Sequence, residues 1–284
     1  MNPVPLFLII VTLPLLLGGC GKEPVVEVKP EEPLAETKPA ETVSVSHNLK
    51  YEIKDDTVTI TGCDAGASGR LVIPATIEGK PVTSIGGSAF SDFSNLSSIT
   101  IPNSVISIGD VAFGGCTSLT SITIPDGVTS IEGGAFFGCS SLTSITIPDG
   151  VTSIGVNAFS RCRSLTSITI GAGVTSIGGG AFSVCSSLTN ITIPDSVTSI
   201  GKYAFNYCTN LTSITIPDNV TSIGDSTFVG STSLTAVAFL GDAPKTTGNI
   251  FSNPCKVTIY RKPEARGWGD TWGGRPVKLI SENP

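Results

Sequence analysis

The sequence predicts a β-rich solenoid, a chain wound into successive coils of 23 residues. Phenylalanine recurs at this interval, and the stretch "LTSITIPDGVTSIE" at 119–132 returns as "LTSITIPDGVTSIG" at 142–155. One coil offers roughly five large apolar side chains, each contributing about 1.5–3 kcal/mol when buried, against about 1–2 kcal/mol per residue of backbone ordering. Coils must therefore stack on copies of themselves in order to fold. The spaced phenylalanines are Phe90, Phe113, Phe136, Phe159, Phe182, Phe205, Phe228 and Phe251.

Each coil divides into four segments. The segment LTSITI at 119–124 predicts a strand with Leu and Ile inward and Ser and Thr outward, because strand side chains alternate between faces. The PDG at 125–127 predicts a turn, and 128–131 predicts a shorter second strand. We expect GGAFFGC at 133–139 to close the coil by a tight turn or a single helical turn.

The N-terminus predicts an export signal. Its apolar run from Val4 to Leu17 has 14 residues, whereas a membrane-spanning helix needs about 20, so it is typical of a signal peptide. The run ends in Leu17-Gly18-Gly19-Cys20, which resembles the bacterial lipobox, although no Lys or Arg precedes it. This resemblance implies that Cys20 is a lipid anchor; the alternative is an ordinary cysteine in a cleaved leader.

Composition shifts then divide the chain. A Pro/Glu/Lys-rich stretch follows the signal peptide and predicts a disordered linker. After it, "LKYEIKDDTVTIT" predicts two short strands joined at Asp55-Asp56, which we interpret as a cap. The predicted regions are a lipoprotein signal peptide at 1–19, the linker at 20–46, an N-terminal cap at 47–82, the repeat array at 83–239 and a C-terminal cap at 240–284.

The repeated unit L-x-x-I-x-I-P-x-x-V-x-x-I-G-x-x-A-F-x-x-C resembles the BspA-like, or Treponema-type, leucine-rich repeat over roughly residues 71–251. The resemblance implies a right-handed superhelix with a parallel sheet on the concave face. It also implies a short second strand and tight or 3-10 turns on the convex side. The segment containing Trp268 and Trp272 is similar to the one that ends many such arrays, where it covers the last coil.

Composition argues against several functional classes. The net charge of −6 and the isoelectric point near 4.8 are opposite to what nucleic-acid binding needs. The single histidine, His47, lies beside the linker, so we expect no Ser-His-Asp or Cys-His arrangement in the array and no enzyme. No His/Cys pattern has zinc spacing, and we expect no metal and no cofactor.

Cysteines occupy one repeat position in five coils, and Ser231 takes the next. Neighbouring copies would lie about 4.8 Å apart, which permits a disulfide on Cα separation alone. Because side chains in one row point alike, we expect reduced, buried thiols that act as small apolar fillers; the alternative is a redox-sensitive pair. Cys63 and Cys255 belong to opposite caps, and we expect them to be too far apart to bond if the array is extended. The row is Cys116, Cys139, Cys162, Cys185 and Cys208.

Aspartate follows the first strand in four coils, at Asp126, Asp149, Asp195 and Asp218. Stacked carboxylates could attract calcium, but turn chemistry is the simpler interpretation. The Gly171-Ala172-Gly173 break would also interrupt any ladder of ions.

Two outward rows of hydroxyl side chains are the strongest surface feature. They are regular, uncharged and poor in aromatic residues, which favours weak contacts repeated many times over one tight site. The alternatives are that Ser and Thr are simply tolerated on exposed strands, or that the rows bind ice. A second face carries the serine row from Ser84 to Ser222. The candidate ligand face is Ser98, Thr100, Ser121, Thr123, Ser144, Thr146, Ser167, Thr169, Asn190, Thr192, Ser213 and Thr215.

These observations predict a bacterial envelope protein, anchored by lipid at the outer membrane or cell surface. Its expected function is adhesion or protein–protein binding through the repeat faces, with protein or cell-surface ligands as partners and no nucleic acid. The alternative is a passive spacer of the cell envelope, and ice binding or catalysis is a more distant third.

Overall fold

The computed structural model describes residues 48–251 and 256–280, and they form a β-solenoid of about nine coils of roughly 23 residues. Across these residues there is no α-helix, and hence none of a length and hydropathy that could cross a membrane. The predicted signal peptide and linker, with Cys20 and His47, lie outside the described residues. The strands within them are β1 Leu49–Lys54, β2 Thr57–Cys63, β3 Gly69–Val72, β4 Thr76–Ile77, β5 Lys80–Ile85, β6 Leu96–Thr100, β7 Ser107–Ile108, β8 Ser121–Ile122, β9 Ser130–Ile131, β10 Ser144–Ile147, β11 Ser153–Ile154, β12 Ser167–Ile170, β13 Ser176–Ile177, β14 Ser199–Ile200, β15 Ser213–Ile216, β16 Ser222–Ile223, β17 Ala236–Phe239, β18 Lys245–Thr246, β19 Thr258–Arg261, β20 Thr271–Trp272 and β21 Arg275–Leu279.

Most coils contain a longer and a shorter strand, as the sequence predicts. In the coil that begins at Leu142, β10 has four residues and β11 has two. β10 alternates exposed and buried side chains, so its isoleucines enter the core while Ser144 and Thr146 face outward. The predicted strand at 119–124 shortens to β8, and Leu119 is buried just before it.

The shorter strands, not the longer ones, carry the continuous pairing. Eleven strands form one sheet that runs from β1 through β2, β5 and the two-residue strands to β18. Array neighbours in it are parallel and in register, for example Ile154 with Ile177. The longer strands form separate sheets of three, two and five strands. Between β8 and β10 the Thr143 N–H still donates to the Thr120 carbonyl, but the N–O distance is 3.4 Å, so the contact across this interruption is weak.

The closing turn forms a third ladder that the sequence did not predict. In each coil the N–H of the stacked phenylalanine donates to an alanine or equivalent carbonyl of the next coil, as Phe113 does to Ala135 at 2.8 Å. Flanking N–H groups, such as that of Val111 to Gly133, point the same way. Residues two before and two after each phenylalanine from Phe90 to Phe228 have a left-handed backbone. The coil is therefore closed by tight turns.

The phenylalanines stack in file through the core. Their rings are buried, with adjacent centroids 5.2–5.9 Å apart and planes within 3–15° of parallel. Each ring therefore has a ring from its own row as its neighbour, which is the self-stacking that the 23-residue period predicts.

The cysteine row is buried, and its five thiols lie unpaired among the described residues. Each thiol also donates a hydrogen bond, as Cys139 Sγ does to the Phe113 carbonyl at 3.1 Å. Ser231 Oγ donates in the same way to the Phe205 carbonyl at 2.7 Å. The position thus selects a small donor rather than an apolar filler. Cys255 lies outside the described residues.

Burial sets the acidity of these thiols. Loss of hydration disfavours the thiolate and raises the pKa of Cys116, Cys162 and Cys208 to about 12. Burial likewise raises the pKa of Cys139 and Cys185 well above the ordinary value, with a smaller contribution from neighbouring cysteines.

Both ends of the stack are covered. β1 and β2 form the predicted hairpin, with Asp55 and Asp56 left-handed at its turn, and β2 pairs in parallel with β5. At the other end Trp268 and Trp272 each lie 4.9 Å from the Phe239 ring centroid, as the resemblance implied. Trp268 Nε1 donates to the Gly241 carbonyl at 3.3 Å, which fixes the indole against the last coils.

Candidate binding faces

The predicted ligand face lies on the longer strands and points outward. Paired strands hold its members in register, as in Ser144 beside Ser167 and Thr146 beside Thr169. Thr192 and Thr215 are joined by an isolated bridge. Ser98 is half-buried, and the exposed members are Thr100, Ser121, Thr123, Ser144, Thr146, Ser167, Thr169, Asn190, Thr192, Ser213 and Thr215.

These side chains are not engaged within the fold. Among the described residues none of the twelve contributes its side chain to a hydrogen bond. Threonines just before the strands behave differently, because Thr166 Oγ1 donates to the Thr143 carbonyl at 3.1 Å. The outward rows therefore keep their hydroxyl donors and acceptors available to a ligand.

The second serine face is less open than the sequence suggests. Ser84 and Ser107 are half-buried on the continuous sheet, and Ser107 Oγ donates to Ser84 Oγ at 3.0 Å. The rest of the row, through Ser222, is also half-buried. It offers a partner less side-chain surface than the rows on the longer strands.

One member of the aspartate row accepts a hydrogen bond from the backbone of a turn. Asp149 Oδ1 accepts a hydrogen bond from the Ala172 N–H of the next coil at 2.7 Å. The other three aspartates are exposed. Over the described ranges, no group of three or more His, Cys, Asp or Glu side chains is arranged to hold a metal ion.

The closing turns build another surface, which we call the turn face: residues 87–95 and their equivalents every 23 residues as far as 230. It carries the aromatic and cationic side chains that the strand rows lack. The Arg161 guanidinium lies 5.4 Å from the Phe137 ring centroid. Tyr203 and Tyr207 are exposed on later coils.

Sequence reasoning missed this surface because it assigned these segments only to coil closure. A signal was present, since Arg161 occupies the repeat position held by Gly115 and Gly138. A large cationic side chain at a position where other coils have glycine is not needed to close the coil.

Comparison with known proteins agrees with this architecture. The family described as BspA type Leucine rich repeat region, with six copies, matches residues 74–171 and 129–258. Among solved structures, the T. pallidum leucine-rich repeat protein TpLRR is 30% identical, with a TM-score of 0.51, over 74% of this chain and 87% of its own. A leucine-rich repeat protein from Bacteroides ovatus is 26% identical, with a TM-score of 0.49, over 84% of this chain and 77% of its own. No curated protein matches.

The family match spans more than half of the chain, over the region that most of the coils described above occupy. The chain therefore belongs to the BspA-type leucine-rich repeat family.

Proposed function

We propose that this protein is anchored to the bacterial envelope by lipid on Cys20 and mediates adhesion by binding proteins or other surface ligands through its repeat faces. The observation that carries the proposal is the outward hydroxyl face, whose side chains are exposed in coil after coil and unengaged within the described fold. Family membership supports a binding role, because leucine-rich repeats generally bind proteins.

The face suits many weak contacts rather than one strong one. Five of the six coils that carry the face present the same Ser and Thr pair, and paired strands lie about 4.8 Å apart, so a repetitive ligand could engage several coils at once. Linked weak contacts raise overall avidity by effective concentration, without a tight site in any one coil.

A charge-insertion pair tests the face. The triple variant Thr123→Glu, Thr146→Glu and Thr169→Glu should abolish attachment of protein-coated beads to target cells, because it places three carboxylates on the face. The matched control is Thr129→Glu, Thr152→Glu and Thr175→Glu, which adds the same charge to exposed threonines of neighbouring coils elsewhere on the surface. Equal attachment by both variants and the parent would favour a passive spacer, provided all three melt alike.

The anchor is tested separately. Cys20→Ala should remove metabolic labelling by radioactive palmitate, because the acylated sulfur is lost. Protease treatment of intact cells should degrade the array if it lies on the outer surface. Labelling that persists in the variant would contradict the anchor without affecting the binding proposal.

A further inference from the structure

The turn face is the part of the array where coils differ most. Interior positions repeat because each must stack on its own copy, and the hydroxyl rows repeat almost as closely. A surface that is identical in every coil cannot fix where along the array a partner sits. Only positions that vary can do so, and one such position reads Asp92, Gly115, Gly138, Arg161, Val184, Tyr207 and Gly230.

Two glycines in this series open a groove. Residues from Ser91 to Arg163 line a groove of about 480 Å³, with Gly115 and Gly138 in it and Thr117 and Ser140 beside them. A Cβ added to Gly138 would meet only the backbone of Gly115, so the space above it is open. The missing side chain at Gly138 lets another backbone approach closely there.

Opposite charges flank the glycines and lean toward each other. The Asp92 carboxylate lies where a side chain of Gly115 would project. The Arg161 guanidinium leans back over Phe137, which belongs to the preceding coil, and Arg163 is exposed on the same coil as Arg161. Within the part of the chain that the structure describes, none of these three charged groups forms an ion pair.

We infer that this groove binds an extended peptide segment of a partner protein that carries a basic and an acidic residue two positions apart. The acidic side chain pairs with Arg161 and Arg163, and the basic one pairs with Asp92. Asp92 and Arg161 belong to positions three coils apart, but each side chain leans about one coil toward the other, which leaves between one and two coil spacings between the charged groups. In an extended chain, residues two apart point to the same face about 7 Å apart, which fits that gap. Arginine suits the carboxylate because its planar guanidinium donates two parallel hydrogen bonds.

The arrangement favours a peptide over an acidic polysaccharide. The arginines occupy a single coil, and exposed Asp92 and Asp110 lie on the coils toward the N-terminus. A polyanion running along the groove would place its next charges against these carboxylates. A peptide with one acidic and one basic residue meets a group of opposite charge at each end of the groove. The inference rests on the proposed binding function and specifies the charges of the partner segment that binds in the groove.

The test is an NMR titration of the ¹⁵N-labelled protein with the peptide acetyl-Ser-Lys-Gly-Glu-Ser-amide, following the amides of Gly115 and Gly138. Two further peptides replace the Glu or the Lys by Gln. We expect each replacement to weaken binding by about three- to tenfold, the range for one charge-assisted contact at a partly exposed site. A heparin tetrasaccharide serves as the polyanionic probe.

The protein variants assign each charge. In Arg161→Gln/Arg163→Gln the Glu and Gln peptides should bind equally, whereas the effect of the Lys replacement should persist. Asp92→Asn should show the reverse pattern. Lys202→Gln removes an exposed cation that does not line the groove, so it serves as the control and should change nothing.

Three results would overturn the inference: no saturable shift at the two glycines, no coupling between peptide and protein replacements beyond that of Lys202→Gln, or binding of the tetrasaccharide alone. Cell attachment separates this failure from failure of the proposed function. If Arg161→Gln/Arg163→Gln leaves bead attachment intact while the titration fails, the groove is not the site, but the adhesive role stands.

Discussion

Each closing turn holds a buried phenylalanine and, two residues later, an exposed position of the turn face, yet these two positions obey different rules. The phenylalanine row keeps one residue type in eight successive positions, because each ring packs on a copy of itself. Two residues later the side chain is Asp, Gly, Arg, Val or Tyr, but the backbone stays left-handed in all seven coils. The buried stack thus fixes the conformation of the exposed turn and leaves its side chain free.

The largest expected effect comes from removing one ring of the phenylalanine row. Phe159→Ala should lower the free energy of unfolding by about 3–5 kcal/mol, because it removes a buried ring stacked on both Phe136 and Phe182. Phe137→Ala is the control, since that ring is only half-buried on the turn face and should cost about 1 kcal/mol. Urea denaturation measures both, and equal losses would contradict the distinction.

Overfilling the cysteine position should have a smaller effect. Cys162→Val should cost about 1–3 kcal/mol, because it adds volume to a packed site and removes the donor to the Phe136 carbonyl. Cys162→Ser should cost less, since Ser231 makes the same bond naturally. If the serine variant were the less stable in urea, the site would be an apolar one after all.

Alkaline pH should lower the free energy of unfolding, and each buried thiol should add to the loss. Burial raises the pKa of Cys162 from its ordinary value of 9.0 to about 12, so its stabilising contribution is complete below pH 9 and is lost as pH rises toward 12. Between pH 8 and pH 10, the free energy of unfolding of the parent should fall by about 1 kcal/mol more than that of Cys162→Ser. Identical pH dependence of urea unfolding would show that the thiol is not shielded from water.

One substitution on the turn face should raise the stability of the protein, whereas the substitutions above lower it. Val111 is left-handed, which is unfavourable for a β-branched residue, so Val111→Gly should raise stability by up to about 1 kcal/mol. Val156 is exposed one position earlier in a later coil and is not left-handed, so Val156→Gly should lower stability. Thermal melting distinguishes them, and two destabilised variants would argue against strain at Val111.

Much of this could be read from the sequence because periodicity reports burial. The spacing of Phe90 and its equivalents predicted the stack, and alternation in SITI predicted which hydroxyls face out. The third ladder was not predictable, because Val111, Arg161 and Tyr203 have no local preference for a left-handed backbone. Residue type signals that conformation only where glycine, asparagine or aspartate occurs, as at Gly138, Asn157 and Asp92. The groove was missed for the same reason, since it depends on how side chains lean between coils.

The third ladder also gives one side of the solenoid a direction. Its peptide groups all point their N–H toward the C-terminal cap, from Phe90 donating to Ala112 through to Phe228 donating to Ile250. In an ordinary parallel sheet successive peptides point in opposite directions and their dipoles nearly cancel. Within this ladder they add along the axis, as in an α-helix, but with the N–H ends toward the C-terminal cap, whereas N–H groups flanking the strands, such as that of Thr129 to Ile106 and that of Gly155 to Ile131, point toward the N-terminal cap. An added coil would thus lengthen two opposed columns of peptide dipoles, one along the closing turns and one along the strands, so that the two sides of the array differ in polarity at each cap.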